Sequence, residues 1–303
     1  MRLGAASLAL CLGLALAPAR ADAGPCCMSA TALGTGRLLP WEQVAVGLRS
    51  TAAFHVGTWD DEARFRPADT RFAETELRTE LWGLAAVVPR LSVGLAVPAV
   101  LTFRSAGDLD DAGGGPGDLR AGARWEAIAV GARRHVPGVA ILASVVAPTG
   151  RSMSQAETVL GTDVTGRGAW VLGAGTSVEQ IAMPWFARLD LGLTVPLPAR
   201  RPDLDRDQRY GAGVDGALSC GRELSPGLVA SLWTRLAWED DLTLAGRTVR
   251  GTSHLDMGVG FALSWRIERW TVQASADSGL FADGLGRSQP GRVSTTLMGR
   301  YGR

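Results

Sequence analysis

The chain has 303 residues with 31 basic and 30 acidic side chains, 46% hydrophobic residues, 39 Gly, and 10 Trp beside 2 Tyr; every base is an arginine. Hydrophobicity this high with charge this balanced excludes a disordered chain, and the lack of a basic excess or basic run excludes nucleic acid as an expected partner. After the first twenty-odd residues no apolar run approaches the ~18 residues that a membrane-crossing helix needs, so the apolar residues must be distributed in short pieces.

The chain opens with Arg2, an uncharged apolar run from Leu3 to Ala17, and small residues at Ala19, Ala21 and Ala23. This is the pattern of a secretory signal peptide, expected over 1–23 with cleavage after Ala21 or Ala23. No small residue directly precedes a cysteine, which argues against a lipoprotein anchor. A segment over 24–40 follows, expected on the periplasmic side. It carries Cys26, Cys27 and Met28, and the next cysteine is Cys220. Three mature cysteines are an odd number for an oxidising compartment. A disulfide from Cys26 or Cys27 to Cys220, a soft-metal site of thiolate and thioether, and a plain flexible tail all remain open.

From Trp41 onward the period is two, the signature of strands with one apolar face. The first strand sets Val44, Val46, Leu48, Ala52 and Phe54 against Gln43, Arg49 and Thr51. The second sets Ala73, Leu77 and Leu81 against Glu74, Glu76, Arg78 and Glu80; four charges on one face cannot enter a dry core. Trp82 has the parity of the charged face, which points to a β-bulge near the following turn. The third runs from Leu91 to Phe103, the fourth from Leu119 to Trp125 with Asp118, Arg120, Arg124 and Glu126 on its other face. The fifth covers Val139 to Ala147, the sixth Gly168 to Gln180, and the seventh sets Leu189, Leu191 and Leu193 against Arg188 and Asp190. Further strands cover Tyr210 to Cys220, Leu228 to Trp238, His254 to Trp265, Trp270 to Phe281 and Arg292 to Tyr301.

That makes about twelve, an even number, with tight gaps such as Val88-Pro89-Arg90 alternating with long polar ones such as Thr149 to Arg167. Short periplasmic turns and long extracellular loops are the outer-membrane barrel pattern. The fold class expected is therefore all-β: an antiparallel up-and-down transmembrane β-barrel over 41–303 with periplasmic termini, in the outer membrane of a Gram-negative bacterium. Aromatics fall at both strand ends, Trp41, Trp125, Trp185, Trp265, Trp270 and Tyr301 on one side and Phe54, Phe72, Phe103, Trp170, Tyr210, Trp238 and Phe281 on the other. Two such belts suit the two membrane interfaces. A soluble sandwich shares the alternation, but rows of charge opposite an all-apolar face do not suit one. The expected partners are outer-membrane lipid, the barrel-assembly machinery during biogenesis and a small solute. The last strand has the right parity for assembly, although Gly302-Arg303 follow its final aromatic, Tyr301.

Three stretches are familiar together: Gly117-Asp118-Leu119-Arg120 with Gly122-Ala123-Arg124, then Ala147-Pro148-Thr149-Gly150-Arg151, then Gly166-Arg167-Gly168-Ala169-Trp170. They resemble the outer-membrane β-barrel family named for meta-pathway phenol degradation, in which a Gly-Asp-Leu strand precedes one ending in Pro-Thr-Gly. The resemblance spans roughly 41–301 by strand spacing and about 117–180 by motif. It implies a channel-like barrel for small aromatic or hydrophobic compounds and transfers no catalytic residue.

Parity alone defines the expected lumen lining: Arg49, Glu74, Glu76, Arg78, Glu80, Asp118, Arg120, Arg124, Glu126, Arg188, Asp190, Asp215, Arg235, Asp256 and Asp277. Rings of one sign select ions; here both signs occur, so a neutral or amphipathic solute fits better. The same lining also suits a lumen filled by mutually paired charges, as twelve strands fall between filled and open barrels. In the first long loop, His55, Trp59 and Phe65 would form an outer docking point for a solute, or a loop packed on itself.

An enzyme needs a different constellation. An outer-membrane phospholipase would use an oriented Ser-His pair, and neither His55, His135 nor His254 stands in that motif. No phosphate loop and no metal-ligand spacing occurs, so no cofactor is expected. A closed structural or binding barrel, acting through its loops or the Cys-Cys-Met segment, is the alternative to a channel.

Overall fold

The computed structural model describes residues 36–69, 71–131, 135–201 and 206–303. Twelve long strands form the wall: β1 (Val44–Trp59), β2 (Phe72–Val88), β3 (Leu91–Ala106), β4 (Leu119–Ile128), β5 (Gly138–Ala147) and β6 (Val171–Ala182), then β7 (Trp185–Pro196), β8 (Gly213–Ser225), β9 (Leu228–Glu239), β10 (His254–Ile267), β11 (Trp270–Gly279) and β12 (Gln289–Gly302). Each pairs antiparallel with its chain neighbours, and β12 returns to β1 from Ala45 opposite Gly302 to Trp59 opposite Gln289. The sheet is therefore a closed barrel with no free edge, and no α-helix occurs among the described residues.

Closure inverts the usual polarity of a globular chain. Val46, Leu48, Leu81, Leu95, Leu101, Leu191, Leu232, Phe261 and Leu297 are exposed, while Glu80, Arg124, Glu179, Arg188, Asp190 and Arg300 are buried. Period-two alternation puts every second residue on each face, and an exposed apolar surface this continuous belongs against lipid rather than water. Trp41, Trp125, Trp265 and Trp270 are exposed at the short-turn end, and Phe54, Phe103, Trp170 and Trp238 at the long-loop end.

Both described termini lie at the short-turn end, where the amides of Gln43 and Val44 donate to the Arg303 carbonyl. The described part of the 24–40 segment does not hang outside: it enters the barrel. Leu39 is buried, and Leu38 packs against an inward cluster of Ala45, Trp82, Leu84 and Met298. Trp82 keeps its register with Gly47 on β1 and Ala96 on β3, and its ring needs that glycine, since a Cβ there would come within 2.4 Å of it. The expected irregularity near this turn exists, but between Ala86 and Val88. Trp82 is thus an inward residue with inward parity, not a bulge.

The other end is covered by its loops. Residues 199–201, 206–209, 243–244 and 247–248 form a small four-stranded sheet, and 109–116 continue the β3 ladder outward.

Candidate functional site

The polar lumen is the candidate site. Its charges meet as cross-strand neighbours fixed by register. Arg49 of β1 stands opposite Glu80 of β2 and donates to it, and Arg120 of β4 donates to the same carboxylate. Nearer the loops, Arg104 of β3 and Arg292 of β12 hold Glu74 at 2.7 and 2.8 Å, and Arg292 reaches Glu76 at 3.4 Å. On the far wall Arg235 lies 3.2 Å from Asp256 and 3.5 Å from Asp277. Toward the short turns Arg188 holds Asp190 at 2.9 Å and Arg124 lies 3.7 Å from Glu126. Paired charges this enclosed stabilise one another at a desolvation cost that only an intact network offsets.

Among the described residues the lumen keeps three recesses that bear on its chemistry. A mid-lumen cavity of about 270 Å³ lies between Arg49, Arg78 and Glu80 on one side and Trp233, Arg235 and Asp277 on the other. A second, about 460 Å³, opens toward the loops between Asp118, Arg120, Asp215 and His254. A third of similar size, about 460 Å³, is walled by His55, Thr58, Glu74 and Arg104.

Below the mid-lumen cavity, the N-terminal segment is held by charge as well as by its leucines. Arg37 pairs with Glu179 at 3.5 Å, and Arg300 donates to the Arg37 carbonyl at 3.2 Å and to Glu42. The Glu42 carboxylate also accepts the Leu39 amide at 2.8 Å, turning the chain from the lumen into β1.

Among the sequence-derived residues, Asp118 has a more specific position than lumen lining. It precedes β4 and accepts the amides of Gly150 (3.0 Å) and Arg167 (2.7 Å), so it fastens both ends of the 149–167 loop. Inside that loop the Asp163 carboxylate accepts the Glu157 amide at 2.9 Å, Arg151 at 2.6 Å and the Thr158 hydroxyl at 2.8 Å. The Glu157 amide first, then Arg151, holds Asp163 well below the usual carboxylate range. Arg167 bonds Glu239 and lies over the Tyr210 ring, tying the loop across to β9.

Of the two readings of this loop, packing on itself describes Trp59 and Phe65, while His55 and Trp59 both border the third recess. Trp59 is 1% exposed, packed against Phe65 and Phe281 with its indole N–H on the Ala282 carbonyl at 3.1 Å. Phe281, expected in an interface belt, belongs to this packed cluster. His55 stands edge-on to Phe72 at 5.1 Å. Cys220 is buried in β8 opposite Ala187 and Leu232, in the same alternation as outward Val214; Cys26, Cys27 and Met28 lie outside the described residues. Among the described residues no group of His, Cys, Asp and Glu is arranged to hold a metal.

Sequence parity alone did not single out Arg37, Glu42, Glu179, Trp233, Arg292 and Arg300. Glu179, Trp233, Arg292 and Arg300 had the inward parity of their strands and could have been found; Arg37 and Glu42 precede the first strand and carry no periodicity.

No protein-family profile and no curated protein matches the chain. Among solved structures it is similar to the COG4313 outer membrane channel from Pseudomonas putida F1, with a TM-score of 0.69 at 14% identity over 88% of this chain and 97% of that one. It is also similar to the beta domain of the Bordetella autotransporter BrkA, with a TM-score of 0.50 at 13% identity over 86% of this chain and 100% of that one. These likenesses establish the fold, a closed antiparallel barrel of the outer-membrane type, and the phenol-degradation family remains a resemblance of motifs.

Proposed function

We propose that the chain is an outer-membrane channel of a Gram-negative bacterium that passes small aromatic or amphipathic solutes carrying little net charge. The observation that carries this reading is the inverted polarity: an apolar outer face around a charged lumen that holds recesses of about 270 and about 460 Å³. Its charges are largely matched in pairs, so no ring of one sign favours inorganic ions. The most similar of the barrels described above is itself an outer membrane channel. Lipid on the outer face and the barrel-assembly machinery are the partners this reading implies, with export by the signal peptide over 1–23.

The second reading, a closed binding barrel, is favoured by one feature: the chain from Arg37 to Leu39 occupies the short-turn end of the lumen. Neither reading assigns the chain an enzymatic role. Proteoliposome uptake separates the two. A channel admits benzyl alcohol or phenol faster than protein-free vesicles of the same lipid, and a folded barrel that never does so is a binding protein.

A further inference from the structure

The mid-lumen cavity holds one cation that its wall leaves without a paired carboxylate. The acids on that wall are engaged: Glu80 by Arg49 and Arg120, Glu76 by Arg292, Asp190 by Arg188, and Asp277 by Arg235 and the Ser294 hydroxyl. Arg78 projects into the same space from β2, opposite Thr51 and Val100 in register. Among the described residues its guanidinium has no ion-pair or hydrogen-bond partner, with the carboxylates of Glu76 and Asp118 acting on it only at longer range and Arg49 opposing them. A guanidinium offers a planar fork of N–H donors that matches a carboxylate bidentately.

The facing wall has the complementary character. Trp233 of β9 lines the cavity beside Ala217, Ala262 and Met298. Its ring lies over Gly260 of β10, where a Cβ would come within 2.3 Å of it, so this position keeps the indole flat against the wall. An unpaired cation on one side and an aromatic face on the other define a ligand with a flat apolar body and one negative end.

We propose that this cavity binds a small aromatic monocarboxylate, its carboxylate on Arg78 and its ring against Trp233. The proposal narrows the channel reading from little charge to a single negative charge and rests on that reading only for how the solute arrives. A neutral aromatic leaves Arg78 enclosed without a counter-charge. A dianion such as phosphate meets Glu76, Glu80, Asp190 and Asp277 around the same cavity and is repelled by them.

Isothermal titration of the full, detergent-folded barrel with benzoate, benzyl alcohol and inorganic phosphate tests this. Benzoate should bind at least about tenfold tighter than the other two, the scale of one charge-assisted pair. Arg78→Gln should remove that advantage while leaving benzyl alcohol unchanged, and Arg78→Lys, which keeps the charge but not the fork, should fall between. Arg222→Gln, at the short-turn rim beside Trp185, should behave as the parent. Equal affinity for benzoate and benzyl alcohol overturns the proposal, as does benzoate binding that survives Arg78→Gln. If Arg78→Gln does not fold, Arg78→Lys decides: benzoate binding undiminished in it contradicts the bidentate site. Flux keeps the two readings apart. Arg78-dependent binding with no passage through liposomes leaves the site standing and removes the channel, whereas passage of phenol without Arg78-dependent binding does the reverse.

Discussion

At the short-turn end the lumen is filled by a separate stretch of chain, held by the buried Arg37–Glu179 ion pair, by the Arg300 contacts, and by Leu38 against the cluster around Trp82. At the long-loop end it is narrowed by the 149–167 loop, which is continuous with β5 and β6 and fastened through backbone amides to Asp118 and Asp163. The first closure depends on a few side chains meeting across the barrel. The second is built into the wall and depends on main-chain donors with fixed positions. Fewer contacts hold the short-turn segment, so that end is expected to loosen before the loop end does.

The largest effect on this contrast should come from Trp82→Ala. Emptying a buried indole costs about 3–5 kcal/mol, and here it also removes the surface beside Leu38. A cysteine at position 38 should then react with a water-soluble maleimide much faster than in the parent, while proteolysis of the 149–167 loop stays unchanged. Protection of that cysteine in both proteins would place the holding force elsewhere.

Asp118→Ala should do the opposite. Leaving the amides of Gly150 and Arg167 without their acceptor costs about 1–3 kcal/mol for each buried donor. The loop should become protease-sensitive, and the N-terminal segment should keep its protection. Coupled loosening at both ends would show that they are not independent closures.

Acid gives a third, smaller handle. Asp163 has a folded-state pKa below its unfolded value. Its contribution is present above the ordinary carboxylate range and is lost only as pH falls through the lower folded value. The loop should therefore stay protected at about pH 4, near the unperturbed aspartate value, and loosen only in stronger acid. Asp163→Asn should already be loose at neutral pH, as seen by limited proteolysis across a pH series. The smallest effect is expected for Trp59→Phe, which keeps the packing on Phe65 and loses the bond to the Ala282 carbonyl, about 1 kcal/mol, read as a slight fall in the thermal midpoint.

The wall was legible in the sequence because one physical rule wrote it: lipid on one face and charge on the other, alternating residue by residue. That rule located all twelve strands and put Arg49, Glu80, Arg120 and Arg235 on the inner face. It misread Trp82 because a large aromatic on the charged face looked like a break in the pattern, when it was the partner of a segment with no pattern of its own. Arg37, Leu38 and Leu39 carry no period, and their place is set by contacts with Glu179, Trp82 and Arg300, each far away in the chain. Trp59 and Phe281 were each marked by the sequence, but their contact was not legible, because they lie far apart in the chain. That Arg78 lacks a carboxylate partner is also a property of the closed barrel, because its neighbours take Glu76 and Glu80 from other strands.

The contrast between the two ends predicts that the short-turn segment, more than the loops, limits passage through this lumen. Single-barrel conductance in planar bilayers tests it most directly, comparing the parent with a barrel lacking residues 24–40. The account predicts low conductance for the parent and a severalfold rise on removal of the segment, with the folded barrel retained. Equal conductance of the two would contradict it.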